Sequence, residues 1–286
     1  MHLKNIMNLF LLILAITLVS ACGNSTSEPK YESVTTTSYK IEYIPLTTAA
    51  EGKTTYKLRL TNKTTGATVA GKTITLAPTM TMIPSTSHST PYDALSSNGD
   101  GTYSGTIYFV MASIAADGSS MGTWNLEFTV DGETVTFHPN VAMAMGSIIK
   151  LKGVNDKIGS MLGSTSRTYQ VFNDGIVGSN AKFFITAVDD SAMMTFPAVS
   201  VGTTLHNQMN TAVPVTDMTV DVSNDKATWT ALSDNGSGRW SKSGLAPLAA
   251  GSHLYVRLTV NGEQKTTDGA AVGASNAYGD FTIVGM

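Results

Sequence analysis

Apolar and polar residues alternate along much of the chain, which is the pattern of β-strands with one buried face. Residues 55–62 and 122–130 alternate in this way. The second of these segments runs into Asp131-Gly132, a pair typical of a two-residue hairpin turn. The best helix candidate, residues 152–162, carries two glycines that disfavour a helix. The pattern therefore predicts an all-β chain.

An internal repeat divides this β pattern into two halves. Residues 97–135 and 233–265 share the same order of a Gly-rich turn, an aromatic-led strand, a small-residue loop, an alternating strand and an Asp-Gly or Asn-Gly hairpin. Such a duplication predicts two tandem immunoglobulin-like β-sandwich domains of ordinary size. The alternative is one larger continuous β architecture.

The domain boundaries follow from this repeat and from the composition between its halves. Three Gly-Ser dipeptides fall between Gly146 and Arg167, which favours a linker there. We expect a signal peptide at residues 1–21, a flexible tether at 22–38, a first sandwich at 39–146, a linker at 147–166 and a second sandwich at 167–286.

The start of the chain has the layout of an export signal. Lys4 precedes an apolar run at residues 9–18, which is too short to cross a bilayer and suits a signal peptide. The sequence VSAC then ends at Cys22, the only cysteine of the chain. This order resembles a bacterial lipoprotein signal, and the resemblance implies cleavage before Cys22 and attachment of lipid to that residue. The alternative is an ordinary secretory signal with a chance cysteine behind it.

A lipid anchor predicts a location in the bacterial envelope. Gly23 and Asn24 follow the cysteine, where lipoproteins of the inner membrane often carry Asp, so the outer membrane is favoured, on its periplasmic face or at the cell surface. Charged residues make up 14% of the chain, and the net charge of −3 becomes −4 once Lys4 is removed. This composition disfavours nucleic acid as a partner, because binding to phosphates needs a basic surface.

Two Met-x-Met pairs in the first predicted domain each accompany a histidine. They are Met80 and Met82 with His88, and Met143 and Met145 with His138. The first group lies in a segment rich in Pro and Ser that we expect to be a loop. Residues two apart in extended chain project to the same face, so each pair can present two thioethers together. Thioether and imidazole ligands suit Cu(I), and imidazole also suits Cu(II).

The alternative is that these methionines only fill the core, for which their flexible side chains are well suited. Met111 and Met121 flank a nearby loop, where they would either join the metal site or pack beneath it. Metal ligands should converge on one point, whereas core methionines should lie between the sheets among aliphatic and aromatic side chains.

The order of motifs around the first group resembles the YtkA-like family, which is related to FixH. The residues that carry the resemblance are the segment PTMTM at 78–82, then His88, GTY at 101–103 and MGTWNL at 121–126. The resemblance covers residues 56–136 and implies a small exported β-sandwich associated with copper handling or with maturation of copper oxidases. Two departures from the family pattern are a longer spacing from Met82 to His88 and a glycine, Gly122, one place early.

The second predicted domain has no Met-x-Met pair. Met193, Met194, His206 and Met209 are present, and we interpret His206 as a surface histidine near a chance methionine. The chain has no nucleophile elbow, metalloprotease helix motif or phosphate-binding loop, so we expect no enzymatic activity.

Two hypotheses for function remain. In the first, the chain is a lipid-anchored copper-binding protein that holds the ion at Met80, Met82 and His88, with His138, Met143 and Met145 as further candidates, and passes it to a copper-accepting protein. In the second, it is a structural or adhesive surface lipoprotein whose immunoglobulin-like domains hold no metal.

Overall fold

The first strand of the first sandwich begins inside the predicted tether, at Glu32. The computed structural model describes residues 32–83, 86–160, 163–189, 194–207 and 210–283, and no helix occurs among them. The first nine strands are β1 (Glu32–Thr35), β2 (Tyr39–Pro45), β3 (Gly52–Asn62), β4 (Ile74–Met82), β5 (Ser87–Ser89), β6 (Tyr92–Ser97), β7 (Thr102–Phe109), β8 (Gly122–Val130) and β9 (Glu133–Phe137). They form two sheets, in the orders β1-β2-β3-β7-β6 and β5-β4-β8-β9.

The alternating segments supply the core between these two sheets. Tyr56 and Leu58 of β3 face Trp124 and Phe128 of β8 in one buried cluster, while the residues between them point outward. Full burial of each large apolar side chain contributes about 1.5–3 kcal/mol. The predicted half-buried strands are therefore confirmed in both sheets.

The second sandwich contains the remaining strands. They are β10 (Ile148–Ser160), β11 (Gly163–Val177), β12 (Asn180–Ala187), β13 (Thr204–His206), β14 (Ala212–Pro214), β15 (Met218–Ser223), β16 (Thr230–Ala231), β17 (Ser233–Asp234), β18 (Arg239–Lys242), β19 (His253–Val260), β20 (Glu263–Gln264) and β21 (Gly279–Thr282). One sheet has the order β10-β11-β12-β18-β17, and the other has the order β16-β15-β19-β20 with β21 also paired to β19. Strands β13 and β14 form a separate two-stranded sheet.

The two sandwiches repeat the same strand order. The run β2-β3-β7-β6 in the first corresponds to β11-β12-β18-β17 in the second, and β4-β8-β9 corresponds to β15-β19-β20. The predicted hairpins close both copies, since Asp131-Gly132 and Asn261-Gly262 have positive φ angles of 49° and 81°, and 52° and 71°. Two positive φ values are what a type I′ turn requires. The prediction of two tandem immunoglobulin-like sandwiches is confirmed.

The expected linker is not a linker in the structure. Most of residues 147–166 belong to β10 and to the start of β11, which pair with each other from Ile148 to Ser160. Ile149 and Leu151 are buried in the second core, so this segment is part of the second sandwich. The Gly-Ser dipeptides misled the prediction because they lie close to the ends of these strands, where glycine and serine are also common.

Two neighbouring expectations also differ from the structure. Residues 152–160 of the best helix candidate lie in β10, and residues 161 and 162 lie outside the described residues. The predicted tether includes β1 (Glu32–Thr35), which pairs with β2 although its side chains are exposed. An exposed edge strand carries little apolar signal, so its composition resembles that of a flexible segment.

The two sandwiches are joined by a continuous packed interface. Tyr108 of the first contacts Phe172 and Phe184 of the second, with ring centroids 5.4 and 4.5 Å apart. Next to these rings, Arg239 forms ion pairs with Asp93 and, at 2.8 Å, with Asp174. Both sandwiches therefore belong to one compact unit. Within the described ranges, no helix has the length and hydropathy that crossing a membrane requires.

Candidate functional site

Strand pairing places Met80 and His88 directly opposite each other. Met80 lies in β4 and His88 in β5, so the expectation that this segment is a loop was wrong for both. On its other side Met80 lies opposite Trp124 of β8. Directly paired residues have Cβ atoms about 4.5–5.5 Å apart on one face of a sheet, so the three side chains are neighbours.

His88 is buried at the junction of the two sandwiches, with 3% of its surface exposed. Its ring forms T-shaped contacts with Trp124 and Phe196, at centroid distances of 5.3 and 5.8 Å. Burial lowers the pKa of His88, because the charged imidazolium loses its hydration. The side chain is therefore held in its neutral form.

The hydrogen bonds of His88 fix which ring nitrogen carries the proton. Nδ1 lies 2.8 Å from the carbonyl oxygen of Ser89, which can only accept, so Nδ1 donates. The Nε2 atom then presents a lone pair, and it lies 3.2 Å from the sulfur of Met111. A thioether has no proton to donate. Two electron-pair donors thus face each other in a buried site.

This arrangement fits a soft metal ion in its chemistry. Imidazole nitrogen and thioether sulfur are ligands for copper, and bonds of about 2.0 Å to nitrogen and 2.3 Å to sulfur are typical of metal sites. A separation of 3.2 Å between Nε2 of His88 and the sulfur of Met111 is compatible with both atoms binding one ion. Among the residues that the structure describes, His, Cys, Asp and Glu form no group of three that could hold a metal.

The remaining members of the first Met group are held by packing. Met80 is fully buried in the first core, and Met82 is partly buried against it. A Cβ atom on Gly122 would lie 2.9 Å from Cε of Met80 and 2.5 Å from the carbonyl oxygen of Thr81, so this position has room only for glycine. Met80 is therefore a core residue, as the alternative interpretation expected, and it is also a neighbour of His88.

The second Met group does not join the first. His138 is exposed, with Nδ1 3.3 Å from the carbonyl oxygen of Trp124. Met143 and Met145 are 49% and 99% exposed. Met145 lines a cleft beside Lys53, whereas His138 lines two other clefts. The six candidate ligands therefore do not form one site.

The sequence left open whether Met111, which contacts His88 in the structure, belongs to the site. Its position at the end of an alternating segment allowed both a role in the site and a role beneath it. Only the pairing of β4 with β5 and the fold of the chain after β7 bring its sulfur to Nε2 of His88. The sequence signal for this contact was weak, because the two residues are far apart in sequence and no motif links them.

His206 and Met194 are the two described residues among the other His and Met positions named from the sequence of the second predicted domain. His206 pairs with Asp189, with Nδ1 and Oδ2 3.1 Å apart. Met194 forms a β-bridge with His88, and its carbonyl oxygen accepts from the amide of Ser89 at 3.2 Å. The predicted lipidation residue Cys22, together with Met193 and Met209, lies outside the described residues.

Comparison with known proteins gives distant structural matches. No protein-family profile and no curated protein sequence matches this chain. The Yersinia pseudotuberculosis adhesin InvE is 16% identical, with a TM-score of 0.27, over 85% of this chain and 58% of the adhesin. The Escherichia coli adhesin FdeC is 14% identical, with a TM-score of 0.26, over 86% of this chain and 64% of the adhesin.

A chimeric titin Z1Z2 tandem is 12% identical, with a TM-score of 0.20, over 82% of this chain and 94% of the tandem. The chain thus spans less than two thirds of the length of each of the two adhesins.

Proposed function

We propose that this chain is a lipid-anchored protein of the bacterial envelope that displays two immunoglobulin-like sandwiches as one rigid adhesive body. The observation that carries the proposal is the interface between the sandwiches. Tyr108 packs against two phenylalanines of the second sandwich, and Arg239 joins Asp93 and Asp174 across the same junction. A rigid pair keeps the surfaces of the two sandwiches in one fixed arrangement, which lowers the entropic cost of binding a partner.

The proposed anchor rests on the sequence. The apolar run and the segment VSAC that ends at Cys22 support export and lipidation, and the polar residues after Cys22 support a tether. Lipid chains hold a protein at a membrane without a spanning helix. Display from a membrane and a rigid pair of sandwiches together suit adhesion better than diffusion as a soluble carrier.

The packing of the methionines supports this proposal over a site with many copper ligands. Met80 is fully buried among core residues, and Met145 is almost fully exposed at a different cleft. A Met-rich copper site would bring several thioethers to one point. In the described residues one thioether, that of Met111, contacts the free nitrogen of His88.

Protease treatment of intact cells tests the display. Cells that produce the tagged chain are treated with proteinase K, beside cells that produce Cys22→Ser and with a periplasmic protein as internal control. We expect loss of the wild-type chain while the periplasmic control stays intact, and release of Cys22→Ser from the membrane fraction. A wild-type chain that is degraded only after the envelope is opened would contradict surface display.

Copper binding is the second candidate function, and the contact between His88 and Met111 favours it. The buried Nε2 lone pair has no proton donor at the sulfur it faces, and a Cu(I) ion would satisfy both atoms. Met80 lies opposite His88 in the neighbouring strand and is the natural third ligand. In this version Met111 replaces Met82 in the ligand set.

Competition with a chromophoric Cu(I) chelator tests this candidate. The chain from Gly23 onward is compared with His88→Leu and Met111→Leu, and with Met145→Leu as a matched control, because Met145 is exposed at another cleft. If copper is the cargo, binding is one-to-one, at least tenfold weaker in the first two variants and unchanged in the third. Absence of binding in the wild-type chain would remove this candidate and leave the adhesive proposal in place.

A further inference from the structure

The outer face of the second sandwich carries a group of aromatic and charged side chains. Along β19 the residues Leu254, Val256 and Leu258 are buried, so the residues between them project outward. Tyr255 and Arg257 are two of these outward residues. Strand pairing sets Arg257 opposite Asp221 of β15, and Tyr255 opposite Asp280 of β21. We call this group, with Trp229, Tyr278 and Lys226, the aromatic shelf.

The rings of the aromatic shelf lie next to one another. Tyr255 and Tyr278 meet edge to face at 5.3 Å, and Trp229 lies 6.1 Å from Tyr278. His253 stacks on Tyr255 at 5.9 Å, with the two rings nearly parallel. Trp229, Tyr255 and Tyr278 are all partly exposed, whereas Trp124 of the first sandwich is fully buried.

Two cations contact the faces of these rings. Nζ of Lys226 lies 4.5 Å from the ring of Tyr255 and 5.1 Å from that of Tyr278. The guanidinium of Arg257 lies 4.4 Å from the ring of Trp229. Such cation–π contacts are attractive even at exposed sites. These contacts restrain the rings, and a restrained surface loses less entropy on binding.

The charges around the shelf nearly cancel. Arg257 pairs with Asp221 at 3.0 Å, and His253 pairs with Asp280 at 2.9 Å. Asp225 precedes Lys226, and backbone amides of Thr228 and Ala227 lower the pKa of this carboxyl to about 2, so it stays ionised at neutral pH. With Lys226 and Arg257 positive and the three aspartates negative, the shelf has no surplus of positive charge that would select a polyanion.

We propose that the aromatic shelf binds a neutral carbohydrate. A pyranose ring has an apolar face of C–H groups that can cover an aromatic ring, and equatorial hydroxyls that can bond to charged groups at the rim. Trp229, Tyr255 and Tyr278 supply the apolar surface, while the charged pairs beside them supply donors and acceptors. This inference rests on the proposed adhesive function and names the class of ligand that the second sandwich would recognise.

Titration with defined oligosaccharides tests the shelf. The chain from Gly23 onward is titrated with cellohexaose, mannohexaose and chitohexaose, and with an oligogalacturonate as an anionic comparator. Both calorimetry and tryptophan fluorescence are recorded, because Trp229 is partly exposed whereas Trp124 and Trp240 are buried. We expect saturable binding of at least one neutral oligosaccharide with a change in emission.

Variants decide whether such binding occurs at the shelf. Trp229→Ala and Tyr255→Ala should each weaken binding at least tenfold, and Trp229→Phe should lose less because it keeps an aromatic face. Tyr92→Ala is the matched control, since Tyr92 is an exposed aromatic residue of the first sandwich. Circular dichroism and the thermal midpoint of each variant show whether it is folded, and Trp229→Phe keeps the test decisive if an alanine variant is not.

Three results of the titrations would overturn the inference. They are no binding of any of the three neutral oligosaccharides, binding that Trp229→Phe, Trp229→Ala and Tyr255→Ala leave unchanged, and a preference for the anionic oligosaccharide. Cells that still adhere through this chain while the shelf variants adhere equally well would point to a protein partner or another face. That result would sink the shelf inference and leave the proposed adhesive function standing.

Discussion

At the scale of single residues, His88 shows how much the sequence reveals and where it stops. The sequence grouped His88 with Met80, and the two residues are indeed paired. The Pro- and Ser-rich segment that contains them, however, predicted a loop. Burial against Trp124 and Phe196 depends on β8 and on the second sandwich, which are distant in sequence. The partner Met111 was therefore open until the fold brought it to Nε2.

The neutral state of His88 predicts a pH dependence of stability. Because burial lowers its pKa in the folded chain, the unfolded chain binds the proton more readily. The contribution of His88 is fully present above the unfolded pKa of about 6.5 and is lost as the pH falls toward the lower folded pKa. Between pH 7.5 and pH 5.5, the free energy of unfolding measured by urea denaturation should fall less for His88→Leu than for the wild-type chain.

His253→Leu is the control for that comparison, because the side chain of His253 is about half exposed and pairs with Asp280 at the surface. It should leave most of the acid-induced loss in place. A pKa of His88 at or above about 6.5, measured by NMR titration, would contradict a buried neutral imidazole and would indicate an imidazolium that donates to Met111.

Gly105 offers a second test at residue scale. A Cβ atom there would lie 2.3 Å from Cζ and from the hydroxyl oxygen of Tyr56, a fully buried ring. Gly105→Ala should lower the free energy of unfolding by about 1–3 kcal/mol, because the crowded core must shift. Gly273→Ala is the matched control, since its nearest neighbour is the Oδ1 atom of Asn276 at 3.6 Å. Equal unfolding midpoints for the two variants would show that Tyr56 moves aside freely.

At the scale of elements, local signals were the most informative. Asp131-Gly132 predicted a hairpin correctly because the turn type demands residues that adopt positive φ. The segment that contains Pro78 was interpreted as a loop, yet Pro78 lies within β4. It is tolerated there because the pairing of β4 with β5 covers only Thr79–Thr81, so the missing amide proton is not needed on that side.

The second hairpin gives a prediction for this scale. The side-chain oxygen of Asn261 accepts from the amide of Thr216 at 2.8 Å, and its side-chain nitrogen donates to the carbonyl of Pro214 at 2.8 Å. Asn261 also has a φ of 52°, which alanine adopts reluctantly. Asn261→Ala should therefore lower the free energy of unfolding by about 1–3 kcal/mol.

Asn224→Ala is the control for the hairpin, because Asn224 is an exposed asparagine in another loop of the same sandwich. Chemical denaturation should place it within about 0.5 kcal/mol of the wild-type chain. A cost for Asn261→Ala as small as this would mean that the second hairpin does not depend on the bonds of that side chain.

At the scale of the whole molecule, the sequence predicted two sandwiches but not how they join. The repeat is visible because it is written into local motifs, whereas the interface consists of contacts far apart in sequence. Arg239 reaches Asp93, and Tyr108 contacts Phe172 and Phe184. The expected linker implied a segment that belongs to neither domain. In the structure this segment forms β10 and the start of β11, and the two sandwiches pack against each other.

This junction predicts a loss of stability in Arg239→Ala. The substitution leaves Asp174, which is mostly buried, without one of its two cationic partners, so the free energy of unfolding should fall by about 1–3 kcal/mol. Arg59→Ala is the control, since Arg59 is about half exposed, lies 3.4 Å from Glu42 and leaves Glu42 paired with Lys40 at 2.7 Å, so it should cost at most about 1 kcal/mol.

Calorimetry distinguishes the outcomes for the junction. The wild-type chain should unfold in one cooperative transition, and Arg239→Ala should lower the midpoint or separate two transitions. Two well-resolved transitions already in the wild-type chain would mean that the sandwiches are energetically independent, which is inconsistent with a rigid pair.

Retention of cells in a flow chamber tests the adhesive proposal most directly. Bacteria with the wild-type chain, with Cys22→Ser and without the chain are passed over glass coated with neutral polysaccharides, with an anionic polysaccharide or with extracellular matrix proteins. The account predicts that wild-type cells are retained several-fold more than the other two strains on at least one coating. Equal retention of the three strains on every coating would contradict it.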